Sequence, residues 1–97
     1  IKIRGYRVEL NEIESVLISH SYIIETAVYF LKNEEEDSSI EAIVVLSESG
    51  RETEENIKKF LAAKLPIYAV PQRIHFSDTI PRTSAGKIDY KKLKKQT

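Results

Sequence analysis

Residues 40–46 read Ile-Glu-Ala-Ile-Val-Val-Leu, and this stretch decides the fold. Its continuous apolar run from Ala42 to Val45 predicts a strand that is buried on both faces and lies at the centre of a sheet. Just upstream, β-branched and aromatic residues between about 24 and 31 predict a second strand. The two strands should pair as a hairpin across the acidic segment 33–39, which we interpret as a solvated turn, with an acidic docking patch as the alternative.

Amphipathic helices are predicted on both sides of this hairpin. Residues 12–19 carry apolar side chains at helical spacing, and Asn11 precedes them in the position of an N-cap. Residues 54–64 show the same spacing, and Pro66 then prevents the helix from continuing. Each helix therefore has an apolar stripe that needs a sheet face to cover it.

Shorter elements complete the chain. Residues 1–10 alternate apolar and charged side chains around Gly5, which predicts two short strands joined at a bend. Residues 73–76 predict another strand, and Asp89 can cap a last short helix. The pattern predicts one α+β domain over residues 1–97: a small, mainly antiparallel sheet, with an N-terminal β-hairpin plus about three strands, and two to three packed helices.

The composition argues against several classes of protein. Fifteen Lys and Arg balance 15 Asp and Glu, so no overall field draws the domain to nucleic acid or to a membrane. The chain has no cysteine, which excludes disulfides, a thiolate nucleophile and cysteine-based zinc sites, and we expect no metal site. No apolar run approaches the ~20 residues of a membrane span. We expect a cytoplasmic protein and, because Ile1 stands where a methionine would begin a chain, part of a longer polypeptide.

Two glycines beside cations mark candidate functional sites. Gly5 lies in Lys2-Ile3-Arg4-Gly5-Tyr6-Arg7, where it either makes a bend or lets a ligand approach the backbone. The segment Pro81-Arg82-Thr83-Ser84-Ala85-Gly86-Lys87 could present N–H groups and an ammonium to an anion, or could simply lead an exposed lysine into a helix. A Walker phosphate loop is not indicated, because Pro81 stands where its first glycine belongs.

These two segments, with Leu65-Pro66-Ile67-Tyr68-Ala69-Val70-Pro71 between them, resemble core motifs of the adenylate-forming superfamily. That superfamily includes acyl-CoA synthetases, luciferases and the adenylation domains of nonribosomal peptide synthetases. The residues at the motif positions of this chain are most similar to those of the last group. The first segment, extended through Ile13 and Glu14, matches Arg-Gly-x-Arg-[Ile/Val]-Glu-Leu-x-Glu-Ile-Glu. The last, extended through Asp89, matches Pro-[Arg/Lys]-Thr-x-x-Gly-Lys-[Ile/Val]-Asp. Ala85 and Tyr90 depart from the usual asparagine and arginine.

The resemblance implies a mobile C-terminal lid subdomain whose large N-terminal subdomain is absent from this chain. It implies that Lys87 is the catalytic residue when a carboxylate reacts with ATP to give an acyl-adenylate. The similarity to peptide-synthetase motifs implies that this carboxylate is an amino acid. Thr83, Ser84 and Gly86 would then support the loop beside the nucleotide. ATP and Mg²⁺ would be bound mainly by the absent subdomain, so this chain alone is expected to be inactive.

The resemblance also implies a second half-reaction after the lid has rotated. Arg4, Gly5 and Tyr6 would line the path of a phosphopantetheine thiol, which belongs to a carrier protein or to CoA. The expected partners are therefore the N-terminal adenylation subdomain, a peptidyl or acyl carrier domain and the small carboxylate substrate.

A free-standing module that binds nucleic acid or protein is the rival hypothesis. Residues 82–97 contain six Lys and Arg but only one acid, Asp89. Tyr90 is the only aromatic residue there, which is too few for base stacking, so we expect no nucleic-acid partner.

Other polar residues are expected to have structural roles. Arg7 and Glu9 are interpreted as partners on the sheet surface, and His20 lies on the apolar edge of the first helix. His75 is expected on an exposed strand face and is given no role.

Overall fold

A computed structural model describes residues 2–3, 5–32 and 38–96. These ranges form a β-hairpin, a three-stranded sheet and three α-helices, which confirms the α+β fold. In chain order the elements are β1 (Lys2–Ile3), β2 (Tyr6–Arg7), α1 (Leu10–Ile18), β3 (Ile23–Lys32), β4 (Ser38–Leu46), α2 (Glu54–Ala62), β5 (Arg73–Phe76) and α3 (Tyr90–Gln96). A 3₁₀ turn, Ile67–Ala69, lies between α2 and β5.

The middle strand of the sheet is β4, as its apolar run predicts. It pairs antiparallel with β3 from Leu46 to Ser38, so the predicted hairpin is confirmed. On its other side β5 runs parallel to it, because α2 carries the chain back along the sheet before β5 begins. Of the predicted acidic turn, residues 33–37 lie outside the described residues, and the last two residues already belong to β4.

The sheet separates two hydrophobic clusters in the described part of the chain. The first core lies on the face that α1 and α2 cover, and the second, smaller core lies on the opposite face beneath α3. The buried members of the first core are Val8, Ile13, Leu17, Ile23, Val28, Ile40, Ala42, Val44, Ile57, Leu61, Ala69 and Ile74. Those of the second core are Ala27, Tyr29, Ile43, Val45, Ile80 and Leu93.

A β-bulge at Ile24 shifts the alternation of side chains at the start of β3. The pairing with β4 passes from Ile23–Leu46 to Glu25–Val45, so Ile24 is an extra residue. Because side chains alternate along a strand, Ile23 and Glu25 would otherwise share a face. The insertion places Ile23 in the first core, while Glu25 lies on the face of the second.

Carboxylates from the helices bind the outer edges of the sheet. Glu14 of α1 accepts the Val28 N–H of β3 at 2.8 Å. Glu54 of α2 accepts the Ile74 N–H of β5 at 2.6 Å. An N–H on an edge strand is otherwise free to pair with another chain, so these bonds also protect the edges.

The helix boundaries correct one prediction and confirm another. The first helix begins at Leu10 with Glu9 as its N-cap, so the assignment of Asn11 to that position was wrong. Leu10 packs against the first core, and burying an apolar side chain outweighs the ~1 kcal/mol that a side-chain cap contributes. The second helix starts as predicted at Glu54, where the Thr53 hydroxyl accepts the Asn56 N–H at 3.1 Å.

His20 forms hydrogen bonds within the domain, in agreement with the structural role predicted from the sequence. Its Nδ1 accepts the Tyr22 N–H at 3.1 Å, and its Nε2 lies 3.0 Å from Glu52. Burial raises the pKa of the Glu52 carboxyl, but hydrogen bonds, among them those from the Thr53 N–H and His20, hold the pKa below its ordinary value of 4.5.

The lowered pKa of Glu52 predicts how stability changes with pH. A carboxyl whose pKa is lower in the folded state stabilises the fold above pH 4.5, and this contribution is lost as the pH falls through the folded pKa. Urea unfolding of the domain between pH 3 and 6 should therefore show a shallower loss of stability toward low pH in Glu52→Gln than in the wild type. The exposed residue Glu48, replaced by Gln, serves as the control. Identical pH profiles for the wild type and Glu52→Gln would contradict this assignment.

Candidate functional site

The segment that carries Lys87 folds into a tight hairpin. Arg82 and Ile88 form an antiparallel bridge at its base. Inside the bridge, the Thr83 N–H donates to the Lys87 carbonyl at 2.7 Å, and the Gly86 N–H donates to the Thr83 carbonyl at 2.9 Å. Gly86 has a φ of +84°, the left-handed conformation that commonly completes a three-residue hairpin loop. The backbone therefore requires this glycine.

Lys87 extends from the hairpin as an exposed side chain. Among the described residues, none forms a hydrogen bond or an ion pair with its ammonium. The backbone that follows is fixed, because Ile88 packs against the second core and the Asp89 N–H donates to the Pro81 carbonyl at 2.9 Å. A rigid base and an exposed four-carbon chain allow the charge to reach a partner outside the domain.

The other predicted residues of this segment share the same turn. Thr83 and Ser84 are exposed next to Lys87, and the structure brings them together with Gly86. Ala85 replaces the usual asparagine, yet the turn closes through its backbone hydrogen bonds. Asp89 then caps α3 as predicted, since its Oδ1 accepts the Lys92 N–H at 3.1 Å.

The second candidate site is the turn between β1 and β2. Ile3 pairs with Tyr6 across it, and Gly5 adopts a φ of +83°. A Cβ atom built at Gly5 would have no other atom within 4 Å, so the space beside this residue is open. Glycine is favoured here by the positive φ angle and not by a lack of space. Arg4, the third residue predicted here, lies outside the described residues.

A pair of stacked rings joins this turn to the Leu65–Pro71 connector. Tyr6 lies on Tyr68 with a centroid separation of 4.3 Å and an interplanar angle of 12°. Offset stacking of this kind contributes ~1 kcal/mol beyond the area that the rings bury. The sequence offered no signal for this contact beyond the presence of both tyrosines.

The two candidate sites emerge from opposite faces of the sheet. Val8, which follows the Gly5 turn, is buried in the first core, and Tyr68 packs against the same core. Ile88, which follows Lys87, packs against the second core. The sheet thus lies between the two sites.

Glu14 connects the C-terminal helix to the edge of the sheet. The carboxylate oxygen that accepts the Val28 N–H also accepts the Tyr90 hydroxyl at 2.8 Å. Burial raises the pKa of Tyr90, and the Glu14 carboxylate stabilises the protonated hydroxyl, so that together they bring the pKa to about 12. Tyr90 therefore supplies one donor at a position where an arginine would supply several.

The structure also places Arg7, Glu9 and His75, for which the sequence predicted no functional role. Arg7 and Glu9 form an exposed ion pair at 2.9 Å, as expected. His75 is half-buried rather than exposed, because the side chain of Glu41, itself buried in β4, lies 2.7 Å from its Nε2.

The described residues contain no group of three or more His, Cys, Asp or Glu side chains placed to hold a metal ion. No helix among them has the length and apolar character needed to cross a membrane.

Comparisons with known proteins match most of the chain. The family model described as AMP-binding enzyme C-terminal domain matches residues 12–87. Gramicidin S synthase 1 of Brevibacillus brevis is 45% identical over 93 residues, which cover 96% of this chain and 8% of that protein. The D-alanine–D-alanyl carrier protein ligase of Bacillus licheniformis is 38% identical over 100 residues, which cover 99% of this chain and 20% of that protein.

Solved structures give the same result. The amide bond synthetase McbA from Marinactinospora thermotolerans superposes with a TM-score of 0.90 at 27% identity, covering 99% of this chain and 19% of McbA. The chain therefore spans about a fifth or less of the length of each of these relatives.

The bond between Tyr90 and Glu14 predicts a measurable loss of stability. Tyr90→Phe removes the hydroxyl donor and should lower the free energy of unfolding by about 1 kcal/mol, the typical net contribution of one intramolecular hydrogen bond. Urea denaturation of the domain at pH 7 measures the change. Tyr22→Phe is the matched control, since that tyrosine is also partly exposed and its hydroxyl bonds to none of the described residues. An equal, small effect of both substitutions would show that the bond contributes nothing.

Proposed function

Because the chain belongs to the family of C-terminal domains of AMP-binding enzymes, we propose that it is the mobile lid of an adenylate-forming ligase. The enzyme that contains it would join a carboxylate to ATP and then pass the acyl group to a thiol. The similarity to a gramicidin synthase and to a D-alanyl carrier protein ligase favours an amino acid as the carboxylate and a carrier-protein phosphopantetheine as the thiol. The thiol of CoA is the alternative acceptor.

The exposed ammonium of Lys87 is the observation that carries this proposal. In adenylation, a carboxylate oxygen attacks the α-phosphorus of ATP, the bond to the leaving pyrophosphate breaks, and negative charge accumulates between two anions. A cation that is positioned there stabilises the transition state. One charge pair at ~4 Å is worth about 4 kcal/mol at an effective dielectric near 20, which corresponds to roughly a thousandfold in rate.

The neighbours of Lys87 suit an anionic partner as well. Thr83 and Ser84 present hydroxyl groups on the same exposed turn, and Gly86 gives the turn its left-handed backbone. In our proposal these residues support the loop beside the nucleotide. Mg²⁺ would accompany ATP on the N-terminal subdomain and neutralise phosphate charge there.

The placement of the two sites on opposite faces of the sheet supports a rotation of the lid between the half-reactions. One orientation would bring Lys87 to the acyl-adenylate site of the large subdomain, and another would bring the Gly5 turn there. The open space at Gly5 suits the passage of a pantetheine chain along the backbone. Tyr6 and Arg4 would line that passage.

The role of Lys87 predicts a selective loss of the first half-reaction. In the intact enzyme, Lys87→Ala should lower ATP–pyrophosphate exchange about a thousandfold, because the transition-state charge loses its partner. Thioester formation from supplied acyl-adenylate should persist. Lys91→Ala, which removes an exposed lysine from α3, is the control and should leave both reactions unchanged. An equal loss of both half-reactions in Lys87→Ala would remove Lys87 from this role.

The role of the Gly5 turn predicts the reverse selectivity. Gly5→Asn retains a residue that tolerates a positive φ but fills the open space, whereas Gly5→Leu also strains the backbone. Both variants should slow acyl transfer to the thiol at least tenfold while leaving pyrophosphate exchange within about twofold. Rapid-quench measurement of each half-reaction tests this. If Gly5→Asn transfers normally and only Gly5→Leu is impaired, the glycine serves the turn rather than the passage.

A further inference from the structure

The guanidinium of Arg82 spans the hairpin that carries Lys87. Its Nη1 donates to the Gly86 carbonyl at 3.1 Å, and its Nη2 lies 2.5 Å from the Oε1 of Glu25. Glu25 belongs to β3, far from the hairpin in sequence. One planar cation therefore ties the tip of the hairpin to the sheet, a geometry that suits arginine and that lysine cannot reproduce with a single nitrogen.

Alternation along β3 places Glu25 on the face of the second core, as it does Ala27 and Tyr29, and the bulge allows Ile23 to lie on the other face. Without the extra residue at Ile24, strand alternation would turn either Ile23 or Glu25 to the wrong face. The bulge keeps Ile23 in the first core, while the Glu25 carboxylate lies on the side of the hairpin.

The bond to Gly86 controls the direction in which Lys87 leaves the backbone. The Gly86 carbonyl belongs to the peptide group that ends at the Lys87 nitrogen, so a donor on this oxygen fixes the plane of that peptide. The carbonyl of Lys87 itself is fixed by the Thr83 N–H. Without this bond, the wide range of backbone dihedral angles open to Gly86 would allow the peptide group to rotate.

We infer that Arg82, held by Glu25, is a positioning residue that orients Lys87 for adenylation; this inference rests on the proposed function. A role in overall stability is a poor explanation for the contact. The side chains of Arg82 and Glu25 are 44% and 38% exposed, and exposed ion pairs contribute little to folding. The hairpin is also anchored without them, through Ile80 and Ile88 in the second core.

Substitution of Arg82 and Glu25 in the intact enzyme tests the inference. Arg82→Met and Glu25→Gln should each lower kcat for ATP–pyrophosphate exchange by about tenfold to a hundredfold, the usual effect of a small misplacement of a reacting group. KM for the carboxylate and acyl transfer to the thiol should stay within about twofold. Lys59→Met, which breaks the exposed pair with Glu55, is the control for loss of a surface ion pair. Normal exchange in both variants would overturn the inference.

A double-mutant cycle separates positioning from a direct or structural role. If Arg82 acts only through Lys87, Arg82→Met should cause no further loss of exchange once Lys87→Ala is present. Losses that multiply would overturn the inference while leaving the role of Lys87 intact. Full activity in Lys87→Ala alone would instead defeat the proposed function, so the two failures are distinguishable.

A charge swap tests whether the bond to the Gly86 carbonyl matters. The double variant Glu25→Arg with Arg82→Glu restores an opposite pair, but a carboxylate at position 82 cannot donate to the carbonyl. We expect the melting temperature to stay close to that of the wild type and the exchange rate to be at least tenfold lower. Recovery of the full rate would show that the charges alone suffice and would overturn the inference.

Discussion

The burial of β4 on both of its faces is the constraint on which the rest of the structure depends. Positions 40–45 are all buried, so each face of the sheet must be covered by another layer. The two amphipathic helices cover one face and the C-terminal segment covers the other. This arrangement separates the two ends of the chain, and it is the reason why the Gly5 turn and the Lys87 hairpin lie on different sides.

Single carboxylates connect these layers. Glu14 joins α1, the edge of β3 and α3 through one oxygen atom, and Glu25 joins β3 to the Lys87 hairpin through Arg82. In both cases an acid on an early element binds a donor from the C-terminal segment. The local geometry of the proposed catalytic segment therefore depends on residues that lie more than fifty positions upstream.

The sequence predicted those features that local patterns encode. The apolar run of β4, the start of α2 at Glu54 and the cap at Asp89 all follow from short-range rules of burial and backbone conformation. The N-cap of α1 was misassigned because the packing of Leu10 outweighed a local capping signal. The roles of Lys87, Gly5 and Tyr6 remain predictions from resemblance.

Long-range features could not be predicted in this way. The bulge at Ile24 depends on which residues of β3 the two cores accept, and nothing in the local sequence marks it. The stacking of Tyr6 on Tyr68 and the contact of Glu25 with Arg82 join segments whose distance in space follows only from the complete topology.

The unequal size of the two cores has a consequence for dynamics. The layer formed by α3 and the hairpin is anchored mainly by Ile80, Ile88 and Leu93, whereas the helices on the other face share a much larger cluster. Sub-global opening requires less free energy where fewer apolar contacts are lost. Amide protons of the C-terminal layer should therefore exchange with solvent before those of α1 and α2, as a separate cooperative unit.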